Sequence, residues 1–427
     1  MARTQLPPQI RKRSLKTGIR YEVITDAGID PGTGQRRQVR RRFGTEREAR
    51  DYLTTVTHQA ATGQFVARHT VTVAEVVTDF IAARHNLRAS SRAKLEYDLG
   101  VFTEFYGTKS VQTLTKADID RMVRTLIDGG STTPKGRKRR PWSPGVVNKV
   151  IAAVSRVLED ARRQGLVARN VAEYVDPVAR SHKDMASFTK AEVAQLRKVM
   201  DRDPLPPMGL NHRPHQKGDD KPDPAEYGDR LAHAWHLALS GLRRGEIAGL
   251  RWSDVDLDSD DPALFIRNNR VMAGGQTVEG DPKSPTSRRR LPLPSRLVTV
   301  LKAARERQAD EKAAIDGLAG TKDARGYDRT TVYADSGYVV VNEVGEPYDP
   351  AVLSRYWRDM LARYGVRHIR LHDARHTCAT QMHLDGVPIA VISDWIGHTS
   401  AAFTMATYAG HASADDLKGA ANALDKL

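Results

Sequence analysis

Apolar and polar positions change their period along this chain, and the changes divide it into stretches. Over GIRYEVIT (18–25) apolar and polar residues alternate, the period of a strand. The next ten residues, DAGIDPGTGQ (26–35), are rich in turn formers, and RRQVRRRF (36–43) returns as a second strand carrying arginines. Thr45 with Glu48 three residues later has the form of a capping box and predicts a helix to about Gly63. From 70 to 180 the pattern turns helical. Thr72 predicts the start of VAEVVTDFIAARH, Ser90 or Ser91 that of RAKLEYDLGVFTEFYG, Thr115 that of KADIDRMVRTLIDGG, and Ser143 that of PGVVNKVIAAVSRVLEDARRQGL. In the last of these, Val146, Val147, Val150, Ile151, Val154, Val157 and Leu158 form a stripe of helical period. A loop punctuated by Pro and Gly, STTPKGRKRRPWSP (131–144), precedes that helix. After a linker near 176–188, Thr189 caps KAEVAQLRKVM and a polar insertion fills 201–229. ALFIRNNRVM (263–272) and RRRLPLP (288–294) read as strands around a turn-rich connection, and the remainder to Leu427 as mostly helix.

Composition narrows the partner. The 427 residues suffice for two or three domains, each with its own core. Sixty-seven Lys and Arg against 52 Asp and Glu give a formal net charge of +15, which favours a polyanion. The sequence holds no run of about 18 apolar residues to span a bilayer and no apolar signal-peptide core, so nucleic acid is preferred to a membrane surface. A basic protein with an inert solvated surface is the bland alternative. Charge is concentrated early: the first fifty residues hold 13 Lys or Arg against 5 Asp or Glu. A small arginine-bearing sheet backed by a helix can present a ribbon to a DNA groove. The single cysteine, Cys378, excludes an intrachain disulfide and Cys-rich zinc sites, and fits a reducing cytoplasm. Its apolar helical surroundings indicate packing. His212 and His215, in the polar insertion, read as surface-loop residues.

Four separated stretches carry reactive side chains. In SGLRRGEIAGLRWSDVD (240–256), Gly241 precedes Arg243, Arg244 and Glu246, and an arginine just inside a helix start, beside a glycine, can approach a phosphate and grip two oxygens with its planar guanidinium. Arg–Glu pairs at helical spacing are more often surface salt bridges, and Arg244 is read as a surface or DNA-backbone arginine. In DPKSPTSRRRLPLP (281–294), Lys283 sits in a turn before a strand and could swing over a site as a proton donor. LHDARHT (371–377) allows two readings. His372 and His376 are four apart, as in a helical metal clamp; His372 and Arg375 are three apart, as in a phosphate site. A zinc site would lack an identifiable third ligand, would carry Asp373 where HExxH needs glutamate, and would place Arg375 beside the cation. A phosphodiester suits the set better, with Arg243 and Arg375 neutralising non-bridging oxygens, a histidine exchanging a proton and a lysine protonating the leaving oxygen. The fourth stretch, WIGHTSAAFTMATYAGH (395–411), adds His398 and a candidate nucleophile, Tyr408.

SGLRRGEIAGLRW, LHDARHTCAT, IGHTS and TYAGH, in this order and spacing, resemble the tyrosine recombinase (phage integrase) family over roughly 185–427. The upstream stretches resemble the other domains of lambda-type integrases. The resemblance implies a multidomain, mainly α protein: an arm-type DNA-binding domain of small sheet plus helix (1–66), a helical, SAM-like core-site-binding domain (70–180), and a mixed α+β catalytic domain of the DNA breaking-rejoining type (185–427). By matching position it makes Arg243 and Arg375 the two catalytic arginines, with Glu246 in support. It makes Lys283 the general acid, His372 the histidine of the HxxR pair, His398 the His-or-Trp position and Tyr408 the nucleophile.

The implied reaction is site-specific recombination. Tyr408 attacks a phosphodiester to form a 3′-phosphotyrosyl link, and exchange of 5′-hydroxyls joins two duplexes through a Holliday junction. No cofactor and no metal are expected. Expected partners are double-stranded DNA attachment sites and three further copies in a homotetramer on DNA; an excision factor or host DNA-bending protein is a possible accessory, and no membrane is involved. The 19 residues after Tyr408 include ADDLKGAANALDKL, a helix that would dock on a neighbouring protomer or on its own domain. The location implied is the bacterial cytoplasm, at the nucleoid when DNA is bound. A type IB topoisomerase shares the Arg–Lys–Arg–His–Tyr chemistry, but the arm-like N-terminus and the tail after Tyr408 argue against it. The complete residue set argues against a non-catalytic DNA-binding regulator.

Overall fold

The computed structural model describes residues 6–15, 18–29, 36–61, 66, 69–180, 186–202, 227–280, 287–318, 320–322 and 332–398. The chain divides into two compact units, Met1–His182 and Lys183–Leu427.

The first unit opens with an antiparallel sheet of β1 (Ile10–Leu15), β2 (Gly18–Ile29) and β3 (Arg36–Phe43), in that order, with α1 (Glu46–Ala61) behind it. Tyr21, Val23 and Phe43 point to the helix and pack with Ile10, Ala49, Tyr52 and Leu53. The alternate positions put Arg11, Arg13, Arg20, Arg40 and Arg42 on the opposite, exposed face. Among these cations lies Glu22, buried between Arg13 and Arg42, whose Nε atoms each donate to its carboxylate at 3.3 Å. The capping pair Thr45 and Glu48 forms as the sequence predicts. β1 is an addition: Ile10 is buried but Arg11, Lys12, Arg13 and Ser14 are exposed, so no apolar alternation stands out.

Four helices follow: α2 (Val73–Ala82), α3 (Ala89–Tyr106), α4 (Lys116–Asp128) and α5 (Pro144–Arg163). Thr72 and Thr115 make the expected capping boxes with Glu75 and Asp118. The start of α3 differs from expectation. Its N-cap is Arg88, and Ser90 and Ser91 lie in the first helical turn without capping it. Of the expected stripe on α5, all but Val146 are buried, against Phe80, Leu99, Phe102 and Leu126. In the basic loop before α5, Arg139 turns inward, donating to both carboxylate oxygens of Glu104 at 2.7 Å while its guanidinium lies 5.4 Å from the Trp142 ring centroid.

The second unit begins with α6 (Lys190–Met200), capped by Thr189 and Glu192, and continues with α7 (Ala232–Leu239) and the short α8 (Arg244–Gly249). The strands here are β4 (Val255–Asp256), β5 (Ala263–Ile266), β6 (Asn269–Ala273), β7 (Gln276–Gly280) and β8 (Arg289–Pro292). They form a sheet in the order β4–β5–β8 and a separate hairpin of β6 and β7. The run 263–272 therefore splits between two sheets, because the chain breaks at Arg267 and Asn268, where the Asn268 side chain donates to Gly249 O at 3.1 Å. Helices α9 (Ser295–Asp316), α10 (Pro350–Arg363), α11 (Leu371–Leu384) and α12 (Ile389–Ile396) complete the described unit. Its core centres on Trp235 and Trp357, whose rings meet edge to face at 5.5 Å. No helix among the described residues is long and apolar enough to cross a membrane.

Candidate active site

α8, α11 and the end of α12 converge on a cleft of about 1090 Å³ in the second unit. Arg243, Glu246, His372, Arg375 and His398, separated by up to 155 residues in sequence, all line it. Lys283 and Tyr408 lie outside the described residues, as do His212, His215 and the segment after Tyr408.

Arg243 occupies the N-cap position of α8, one residue earlier than a place inside the helix. The turn before it needs Gly241, at φ +94°, where a Cβ would come within 3.3 Å of Cys378 Sγ. Glu246 closes the helix start by accepting from the Arg243 backbone N–H at 2.9 Å and from Arg243 Nη1 at 2.7 Å. It is 2% exposed, so the Arg–Glu spacing makes an internal pair rather than a surface salt bridge. Burial pushes the Glu246 carboxyl up, but the charges of Arg289 and Arg243 more than reverse that and hold it below the usual carboxylate range.

Arg375 lies in the first turns of α11 and is 1% exposed. Nη1 donates to Gly241 O at 2.6 Å and Nη2 to Ile396 O. The next carbonyl, Gly397 O, accepts from Arg243 Nη2 at 2.5 Å, and the one before, Trp395 O, accepts from Arg289 Nε at 2.7 Å. Three consecutive carbonyls at the C-terminus of α12 thus hold three different arginines. A helix C-terminus carries partial negative charge and lone pairs without intrahelical donors, so it can gather cations that would otherwise repel one another.

His372 stands exposed on the cleft wall and His376 is buried behind it, their rings edge to face at 5.0 Å. Partial desolvation, then the neighbouring Arg375 charge, lower the His372 pKa. Burial, then the charges of Arg375 and Arg243, bring His398 to about 4. Burial, then His372, do the same for His376, also to about 4. Each of these shifts favours the neutral imidazole. Asp373 is structural: it accepts from the Arg370 backbone N–H at 3.0 Å and pairs with the Arg370 guanidinium at 2.7 Å. Arg244, in the cleft mouth, donates to Ser354 Oγ at 3.0 Å. Cys378 packs under Gly241, and burial lifts its thiol to about 11, which fits packing rather than nucleophilic chemistry.

One important residue went unread in the sequence. Arg289, the middle of three consecutive arginines, has a side chain only 8% exposed and donates through Nη1 and Nη2 to both oxygens of Glu246, at 3.1 and 3.0 Å. A signal existed. In RRRLPLP the buried Leu291 and Leu293 share strand parity with Arg289, which places it on the inward face.

Comparisons with known proteins agree on one kind of relative. Residues 214–414 match the model described as the phage integrase family. A protein of Caldanaerobacter subterraneus subsp. tengcongensis described as tyrosine recombinase XerC-like is 32% identical over 189 residues, 42% of this chain and 46% of that one. The chain thus spans less than half the length of that relative. The ICEBs1 integrase of Bacillus subtilis is 21% identical over 97% of this chain and 99% of its own. Among solved structures, the Tn1549 transposon integrase in complex with transposon right end DNA shares the fold at a TM-score of 0.58 and 16% identity, covering 83% of this chain and all of that one.

Proposed function

We propose, from the match of residues 214–414 to the phage integrase family and from the geometry of the cleft, that the chain is a tyrosine recombinase, a site-specific DNA recombinase that integrates or excises a mobile element. It cuts and rejoins DNA through a 3′-phosphotyrosyl intermediate and a Holliday junction. The observation that carries this reading is the convergence of Arg243, Arg375, His372 and His398 on one cleft, with both guanidiniums already anchored.

In the first step Tyr408 Oη attacks phosphorus, the P–O5′ bond breaks, and the DNA 5′-hydroxyl leaves with a proton from Lys283. The tyrosine proton passes to an imidazole, a role we assign to His372. Arg243 and Arg375 offset the charge that builds on the non-bridging oxygens, where fixed donors in a partly dry site act most strongly. His398 borders the same space, and Glu246 supports Arg243. Attack by the partner strand's 5′-hydroxyl reverses the step. Bond energy is kept in the phosphotyrosyl link, so the scheme uses neither ATP nor a metal. The roles of Lys283 and Tyr408 rest on their place in the sequence motifs.

The substrate is double-stranded DNA at attachment sites, and the working assembly a homotetramer, with an excision factor or DNA-bending protein as accessory. The three-domain division at 1–66, 70–180 and 185–427 is supported by three separate hydrophobic clusters, around Val23, Leu99 and Trp357. The exposed arginine face of the N-terminal sheet would meet arm sites, in the bacterial cytoplasm. Tyr408→Phe tests the reading. The variant should bind attachment-site DNA and form no covalent adduct with a suicide duplex. An adduct that persists would remove Tyr408 as nucleophile.

A further inference from the structure

Arg289 does not line the cleft, yet it touches three separate pieces of the wall. Its fork holds both Glu246 oxygens, its Nε reaches Trp395 O, and its Nη1 also donates to Ser287 O at 3.1 Å on the approach to β8. Its side chain is 8% exposed and that of Glu246 2%. A buried bidentate pair fixes direction as well as charge, because planar guanidinium and carboxylate meet in essentially one geometry. Glu246 in turn grips Arg243 at 2.7 Å. On the other side, Gly397 lies directly over Arg289: at φ +62°, a Cβ there would approach Arg289 Nη1 to 3.0 Å. His398 follows immediately.

We propose that Arg289 is a positioning residue for the cleavage reaction: it aims the Glu246 carboxylate at Arg243 and ties β8 to the end of α12, so that Arg243 and His398 meet the phosphate already placed. This rests on the recombinase reading above and adds a residue to those carried over from the family resemblance. It acts only through neighbours. Burial pushes the Glu246 carboxyl up and the Arg289 charge is the largest influence opposing it. Without Arg289 that carboxyl rises, and once protonated it no longer pairs with Arg243. Loss of Arg289 therefore has a pH signature that loss of packing alone lacks.

The test is single-turnover adduct formation on a suicide duplex by the full chain and four variants: Arg289→Gln, Arg289→Lys, Glu246→Gln and the Arg289→Gln/Glu246→Gln double. Arg289→Gln should keep DNA affinity within about twofold and cleave about 10- to 100-fold slower. Its rate should fall further as pH drops from about 8 to about 6, more steeply than wild type. Arg289→Lys, which restores the charge but not the fork, should cleave at an intermediate rate and lose the added acid dependence. The double variant should be no slower than Glu246→Gln, since both act on one path. Wild-type rate and pH profile in Arg289→Gln overturn the proposal, as do losses that multiply in the double variant. If Arg289→Gln does not fold, Arg289→Lys decides: slowed cleavage at unchanged affinity supports the role, and wild-type cleavage overturns it. Absence of any adduct from the wild-type chain would instead count against the recombinase reading.

Discussion

In the helical bundle, α2 to α5, the buried side chains are overwhelmingly aliphatic or aromatic, and charge that goes inside serves a local join. Asp118 closes the start of α4 and takes Lys109 at 2.7 Å; Arg139 pins its loop to Glu104. In the second unit, Glu246 and Arg375 line the cleft and, like Asp373 and His376, are buried, the Arg289 side chain is 8% exposed, and several partners lie more than a hundred residues away. Burying charge is costly unless it is paired, and paired charge in a partly dry site interacts strongly. One region uses polar groups to end helices; the other accepts that cost to hold guanidiniums where a phosphate would come.

The comparison can be broken most directly at the arginines. Arg375→Ala should lower cleavage by about 10²–10³-fold or more and cost roughly 2–4 kcal/mol of stability, because the carbonyls of Gly241 and Ile396 lose their donor. Arg163→Ala on α5, removing an exposed arginine paired with Glu159, should change stability by no more than about 0.5 kcal/mol. Single-turnover cleavage and urea melts check both; equal losses would erase the distinction. In the bundle the sensitive positions are apolar. Leu99→Ala should cost about 2–5 kcal/mol and weaken DNA binding, while protein saturated with DNA still cleaves at near wild-type rate. A specific cleavage defect at saturation would give the bundle a part in the chemistry.

Acid should separate the regions next. Burial, the leading cause in each case, lowers His233 to about 3 and His236, His376 and His398 to about 4, from an ordinary value near 6.5. These groups are more easily protonated unfolded than folded. Their neutral-state stabilisation is complete above about pH 6.5 and lost as pH falls toward 4. Asp118 in the bundle runs lower: burial raises it, but Lys109 and Thr115 outweigh that and hold it at about 2, so its contribution persists to about pH 4 and fades below. Hydrogen exchange at pH 7, 5.5 and 4.5, corrected for intrinsic rates, should show α7 and α11 loosening before α4. Simultaneous loosening would contradict this. The smallest effect is Thr115→Ala, which removes one capping acceptor and should cost about 1 kcal/mol in a thermal melt.

How much could be read in advance follows the same division. α5 and its stripe, and the caps at Thr72, Thr115 and Thr189, were legible because local periodicity and one hydrogen bond decide them. The helix-start arginine and the HxxR spacing were legible as chemistry. Their meeting at one phosphate followed from their combined chemistry and the family resemblance; the anchor of Arg243 on Gly397 O, 154 residues away, did not, since no local pattern encodes that pairing. β1 was hidden because two arginines and a lysine, all exposed, follow Ile10 and mask any apolar alternation. Arg289 was hidden by its own neighbours: three arginines in a row look like solvated charge until strand parity sorts one of them inward.

Anchoring three guanidiniums on the carbonyls of Trp395, Ile396 and Gly397 has a consequence for variation. Main-chain acceptors persist whatever side chain their residue carries, so these anchors leave no signature in residue identity. Positions 395 and 396 can drift within what the core tolerates while the arginines keep their register. Gly397 is the exception, since any other residue there must displace Arg289. A library randomised across these three positions and selected for activity should therefore enrich glycine at 397 and leave the other two comparatively free.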